Sequence, residues 1–407
     1  MPVLRNIAQL ACCPPDATQQ DAGLIDGAAL AWKDGTILWA GRESGLPDEF
    51  RDEPGIDAEG RLLVPGLVDC HTHLCFGGWR GDEFEMRLQG ATYQEIAAAG
   101  GGIASTVAAT RAADKKELKD KAARALDGML GLGVTTVECK SGYGLDSENE
   151  IKQLEVYLEL DDTHAVDLVP TFLGAHIVPP EYRDDRESYL RLLIEELIPR
   201  VAENGLAQFC DAFVEEGAYT IDEARRIFEA AKAYGLGIKV HADQLSDGGG
   251  AKLAAEMGAV SAEHLEYIND EGIESLARSG TVAVSLPLAS LYLGEPYLPA
   301  ERFLAAGVPV AVATDFNPGS APSYHLPFAM TLACLNQGMT PQEVLNGATS
   351  IAARAVGRND HIGSLLPGYQ ADFALIDTPS LNQWLYNFVP NACVAVFKNG
   401  QIVTGAT

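Results

Sequence analysis

The sequence predicts an α/β fold, a (β/α)8 TIM barrel with a small composite β-sandwich built from both chain ends. Three observations lead there. Residues 62–362 repeat a strand-then-helix unit eight times. The strands of that repeat are short, rich in β-branched residues and almost continuously apolar, as parallel strands buried on both faces are. The two flanking segments, 1–61 and 363–407, have a different texture of short strands broken by turns. Neither has the apolar surface to fold alone, so the two are expected to share one sandwich with the barrel inserted between them.

In chain order, the first end offers strands at 28–32, 35–41 and 57–63. The barrel strands are read at 63–70, 134–140, 166–173, 208–214, 237–241, 260–264, 281–286 and 308–314. Helical stretches such as 115–130, 187–203 and 221–234 lie between them. The second end supplies strands at 371–377 and 394–403, the latter turning at Asn399-Gly400. Eight units in about 300 residues fit a barrel with insertions. A doubly wound open sheet would want a glycine-rich phosphate turn after its first strand, and none is there. The run Gly100-Gly101-Gly102 lacks a following Lys-Ser/Thr, so a nucleotide site is not expected.

Composition narrows the function. With 47% hydrophobic and 21% charged residues the 407-residue chain is ordinary globular protein. Its formal charge of −28 disfavours nucleic acid or an acidic membrane as partner, because phosphates demand basic patches. An anionic small molecule would have to be held by a few local cations. The eight cysteines, Cys12, Cys13, Cys70, Cys75, Cys139, Cys210, Cys334 and Cys393, form no Cys-x-x-Cys framework and read as reduced. No basic-then-apolar leader opens the sequence, and no apolar run approaches the ~20 residues of a membrane span. A cytoplasmic protein is expected.

In such barrels chemistry sits at the C-terminal ends of the strands. The first barrel strand ends in Asp69-Cys70-His71-Thr72-His73, the fifth in Val240-His241, the sixth in Glu263-His264 and the eighth in Thr314-Asp315. Residues i and i+2 of a strand share a face, so His71 and His73 can reach one ion. A lone strand-end histidine is more often structural. A pair facing a third histidine and an aspartate is a metal site, and His71, His73, His241 and Asp315 are its candidate ligands. That set leaves room for a water, whose pKa a metal can lower from 15.7 to about 7. Binuclear relatives of this arrangement use a lysine at the end of strand four, and residues 208–215 contain none. One ion is therefore expected, with Lys239 read as an interior lysine paired with Asp211 or Glu138. His164 and His361 read as surface or structural residues, and His325 stays open.

Longer segments carry a resemblance. They are DCHTHLCFGGWR at 69–80, YQEIA at 93–97 with GGGI at 100–103, KSGYGL at 140–145, GAH at 174–176, HADQ at 241–244 and DFNPGS at 315–320. Together with the split sandwich they resemble the amidohydrolase superfamily, and within it the branch that opens the ring of 4-imidazolone-5-propanoate in histidine degradation. The resemblance implies one zinc or iron ion per subunit, a homodimer, and N-formimidoyl-L-glutamate as product. It implies that Asp315 is both ligand and general base, and that His264 polarises the ring carbonyl or steadies the attacking water, unless it is a fourth nitrogen ligand. Some relatives carry glutamate where this chain has Gln244; the amide can orient water or a ring nitrogen but cannot be the base. Arg80 is expected to take the substrate's propanoate, with Tyr93, Tyr143 and His176 as further donors, and Asn317, Gly319 and Ser320 as pocket residues. A deaminase on the same barrel, which would have no need of Arg80, and a barrel kept only for assembly are the alternatives.

Overall fold

The computed structural model describes residues 1–91 and 100–405. Two sheets organise it. One takes β1 (Val3–Ala11), β2 (Leu24–Lys33), β3 (Thr36–Arg42), β4 (Gly55–Asp57) and β5 (Leu62–Pro65) from the first end. The second end adds β14 (Phe373–Ile376), β15 (Cys393–Lys398) and β16 (Gln401–Gly405), in the order β16-β15-β14-β5-β1-β2-β3 with β4 beside β1. The sheet curls until its wings face one another. Trp32 of β2 thus meets Phe373 of β14 edge-on at 5.2 Å, while Phe373 stacks on Phe397 at 4.4 Å. The Trp32 indole N–H donates to the Gly400 carbonyl at 3.0 Å, so the buried ring leaves no orphan donor.

The second sheet is the barrel. Its strands are β6 (Leu67–Asp69), β7 (Val134–Lys140), β8 (Asp167–Ala175), β9 (Phe209–Val214), β10 (Gly237–Ala242), β11 (Ser261–His264), β12 (Val282–Ser285) and β13 (Val310–Val312). All neighbours run parallel, in chain order. The expected eight strands are present, with one difference. The strand expected over 63–70 is divided, its first part pairing with β1 and β14 in the terminal sheet and its second entering the barrel. Gly66 makes that step possible, because a Cβ there would lie 2.2 Å from Thr135 Oγ1 on β7.

The helices follow their sequence signals. Ile221–Ala233 opens with a capping box between Thr220 and Glu223. The stretch expected at 187–203 is helical from Arg186 to Glu203 but contains a π turn at Leu192–Leu197. Pro199 accounts for it, since its ring would collide with the Glu195 carbonyl in a regular helix. Among the described residues no helix is long and apolar enough to cross a membrane.

Closure between β13 and β6 is made by side chains as much as by backbone. Asp69, fully buried, accepts from the Thr314 amide at 3.1 Å and the Thr314 hydroxyl at 2.6 Å. Beyond it the Asp315 amide donates to the His71 carbonyl at 3.1 Å, and the His73 amide to the Phe316 carbonyl at 2.9 Å. The seam therefore sets the ends of the first and eighth barrel strands side by side. Replacing Gly66 by alanine forces a methyl against Thr135. The Gly66→Ala protein is expected to lose about 1–3 kcal/mol in a urea titration, the usual cost of overpacking.

Candidate active site

At the C-terminal mouth of the barrel His71, His73, His241, His264 and Asp315 are all buried. The Nε2 atoms of His71 and His73 lie 3.4 and 3.5 Å from one oxygen, Asp315 Oδ1. The His241 ring centroid is 4.6 Å from that of His71 and 5.5 Å from that of His73. Two donors each about 2.1 Å from an ion at a tetrahedral angle sit roughly 3.4 Å apart, so this spacing is what a metal requires. The donors themselves also ask for one. Nε2 of His71 and of His241, and Nδ1 of His73, are buried without a hydrogen-bond partner. Leaving so many polar atoms orphaned costs about 1–3 kcal/mol each unless something fills the space between them.

The charge state suits a cation. Burial drives His73 well below the usual imidazole range, with His176, His71 and His241 adding to the effect. Burial likewise lowers His241, against the pull of Asp211. His71 is the exception. Burial and Lys140 depress it, yet contacts with Asp315 and Glu263 outweigh them and lift it to about 9. A cation bound there displaces that proton. Burial alone would raise the Asp315 carboxyl, but His71, His264 and His241 hold it below the ordinary carboxylate range.

Each side chain is aimed by its backbone. Asp315 adopts a left-handed φ of 56°, and His264 and Leu265 are left-handed in succession at 75° and 68°. Such conformations are strained for residues with a Cβ and are held by their surroundings. Here the Ser320 hydroxyl fixes Asp315 Oδ2 at 3.2 Å, leaving Oδ1 to the histidines. Asn317 builds that loop. Its amide donates to the Asp315 carbonyl and to Ser320 Oγ, and its oxygen accepts from the Gly319 and Ser320 amides at 2.7 and 2.8 Å. Its polar atoms are thus occupied in shaping the pocket wall. Asp243, which accepts from the Gly248, Gly250 and Ala251 amides, anchors the turn that carries Gln244.

Above the histidines opens a cavity of about 420 Å³. Arg80, Tyr143, His176, Gln244, Asn317, Gly319 and Ser320 line it with His73, His241, His264 and Asp315. Tyr93 lies outside the described residues. Arg80 is steadied by Nε donating to Thr106 Oγ1 at 2.8 Å. Its guanidinium passes so close over Gly319 that a Cβ there would lie 2.4 Å from Nη1. His176 stacks on His73 at 5.1 Å, and its Nδ1 is 3.0 Å from the Gly142 carbonyl. That contact makes Nδ1 the protonated nitrogen and leaves Nε2 as an acceptor. Burial, reinforced by His241, lowers His176 to about 3, so it stays neutral. Glu150, accepting from the Gly142, Gly144 and Leu145 amides, holds the loop under Tyr143.

Sequence reasoning missed part of the lining. Glu83 and Arg87 reach the cavity from the helix Gly81–Leu88, and Leu293 and Glu295 close the far side. The i, i+4 spacing of Glu83 and Arg87 just after Arg80 was the available signal. The lysine expectation also needs correction. Lys239 Nζ meets Glu263 at 3.1 Å, whereas it is Lys140 that pairs with Glu138 and Asp211, at 2.8 and 2.9 Å. Both lysines sit in neighbouring interior layers, and a one-strand difference in reach is not readable from spacing. His325 caps the helix Leu326–Gln337, its ring accepting from the Phe328 amide.

The amidohydrolase family model matches residues 62–403, most of the chain. The chain belongs to the amidohydrolase family. Among its relatives, the imidazolonepropionase of Geobacillus kaustophilus (strain HTA426) is 49% identical over 387 residues, 94% of this chain and 91% of that protein. The imidazolonepropionase of Symbiobacterium thermophilum is 50% identical over 389 residues, 94% and 92% of the two chains. In fold the chain resembles the zinc complex of atrazine chlorohydrolase TrzN from Arthrobacter aurescens TC1, with a TM-score of 0.78 at 16% identity, covering 100% of this chain and 95% of that one. At that identity the likeness speaks for the architecture alone. The family supports a metal ion among the histidines. Zinc at a hundred times its dissociation constant is then expected to stabilise the metal-stripped protein by about 2.7 kcal/mol. Unfolding curves unmoved by zinc would show that these donors hold no ion.

Proposed function

We propose that this member of the amidohydrolase family is an imidazolonepropionase, hydrolysing 4-imidazolone-5-propanoate to N-formimidoyl-L-glutamate. The observation that carries the reading is the convergence of three histidines and Asp315 beneath a cavity whose wall presents Arg80. Identity near 50% to imidazolonepropionases across nearly the whole chain supports it. His71, His73, His241 and Asp315 hold one ion, zinc or iron; an N,O donor set suits both. When bound, the ion supplies Lewis acidity, lowering the pKa of a water from 15.7 toward about 7. The resemblance also carries a homodimer into the proposal.

The chain's own residues do the rest. Arg80 receives the propanoate with a planar fork and sets the ring over the histidines. In a protein of charge −28 that local cation is what makes an anionic substrate acceptable. His264 donates to the ring carbonyl oxygen as negative charge grows there. Gln244, an amide, orients the ring nitrogen and takes no proton. Asp315 accepts a proton from the attacking water and passes it to the departing ring nitrogen. Water thereby adds across the C–N amide bond, leaving a carboxyl on the carbon and N–H on the nitrogen.

The test is turnover of imidazolone propanoate by the purified protein, with metal analysis of the same sample; loss of imidazolone absorbance without ammonia release is expected. Ammonia as the product would replace the reading by deamination. Arg80→Ala is expected to raise KM roughly tenfold to a hundredfold with metal content unchanged, from the loss of about 1.5–3 kcal/mol of charged hydrogen bonding. Ordinary kinetics in that variant remove Arg80 from the site. Asp315→Ala should lower kcat at least about 10²–10⁴-fold, the range of general acid–base catalysis; substantial residual turnover would put the base elsewhere.

A further inference from the structure

Beneath the candidate ligands the barrel interior holds a second layer of charge that the proposed reaction does not use. Glu138, Lys140, Asp211, Lys239 and Glu263 are all fully buried there. Lys140 Nζ lies 2.8 Å from Glu138 Oε1, 2.9 Å from Asp211 Oδ2 and 3.4 Å from Glu263 Oε2. Two of those oxygens also face the histidines above. Asp211 Oδ2 is 2.9 Å from His241 Nδ1, and Glu263 Oε2 is 3.5 Å from His71 Nδ1 and 3.6 Å from His241 Nδ1. Asp211, Glu263 and His241 present donors within 4.8 Å of one another, a spacing that suits a metal ion. Glu138 Oε2 remains buried without a partner.

We propose that the Lys140 ammonium is a built-in replacement for a second metal ion, filling a cation position among Glu138, Asp211 and Glu263. The inference rests on the single-ion reading of the centre and extends it. Three converging carboxylates in the buried interior need a positive charge to offset their lost hydration and mutual repulsion. A lysine on β7 supplies that charge permanently, so the cluster has no use for a second ion. Burial opposes the ammonium, but Asp211, Glu138 and Glu263 outweigh it and keep it protonated. The arrangement also positions the ligands. Asp211 and Glu263, held in place by Lys140, draw the Nδ1 sides of His241 and His71 downward and leave Nε2 for the ion above. Lys140 is thus a positioning residue, acting through those two carboxylates. Lys239 holds Glu263 from the other side, with its remaining donors on the Ala355 and Cys70 carbonyls.

The test counts ions. Metal-stripped protein is loaded with one equivalent of zinc per subunit and titrated with Mn²⁺, free Mn²⁺ being read by electron paramagnetic resonance. High salt screens the acidic surface. Zinc keeps the nitrogen-rich upper site, and manganese prefers an all-carboxylate one. The unaltered protein is expected to take up no stoichiometric Mn²⁺, whereas Lys140→Met takes up one further ion per subunit. A folded Lys140→Met protein that gains no Mn²⁺ site overturns the proposal. An unaltered protein that holds two zinc ions sinks the single-ion reading itself, a different outcome. Should Lys140→Met fail to fold, Lys140→Met with Glu138→Gln removes one charge of each sign and is judged by the same count. If both stay unfolded, refolding in Mn²⁺ with zinc decides: recovery with both ions bound supports the proposal, and no recovery overturns it.

Discussion

The site depends on how the barrel closes. Asp69 and Thr314 are separated by 245 positions and are bound through two hydrogen bonds in the buried interior. An isolated carboxylate there would be costly, and burial already lifts Asp69 to about 7 against the pull of Thr314. The pairing is what makes the first and eighth barrel strands neighbours, and neighbours in a fixed register. From that register His71, His73 and Asp315 inherit their positions, since the backbone bonds that continue the seam run through those same residues. The donor geometry is thus a by-product of fold closure.

Two layers of polar groups are stacked along the barrel axis, and they solve opposite problems. The lower one sets two lysines, from β7 and β10, against three carboxylates, so most of its charge is paired within the layer. The upper one is left incomplete, with imidazole Nε2 atoms of His71 and His241 buried and unpartnered. The loops follow the same division, because Asn317, Asp243 and Glu150 use up their polar atoms on backbone amides and leave the pocket to Arg80, Tyr143, His176 and Gln244.

Much of this was legible in the sequence. Strand ends carrying His-x-His, two further histidines and an aspartate fixed the candidate site because barrel topology converts strand order into position. Arg80, which lines the cavity, came from the resemblance, whose anionic substrate needs a local cation in an acidic protein. What stayed hidden depends on distances across the barrel. Which carboxylate Lys239 meets is decided by stagger between strands, and no linear pattern encodes stagger. The division of the first barrel strand at Gly66 was hidden for a related reason. An apolar run looks alike whether it crosses from one sheet to another or continues in one, and only the approach of Thr135 explains the glycine. Glu83 and Arg87 were overlooked because a charged pair one helical turn apart is the commonest decoration of a solvated face.

The distance in sequence between the two halves of the seam has a consequence for biosynthesis. A nascent chain meets its histidine pair early, but the aspartate that completes the set leaves the ribosome only after three quarters of the protein has been made. If these four side chains are the ligands, no partial barrel retains a cation with full affinity until then. With the proposed ligand set, metal capture would therefore be a late event in maturation, following the docking of the last barrel strand against the first.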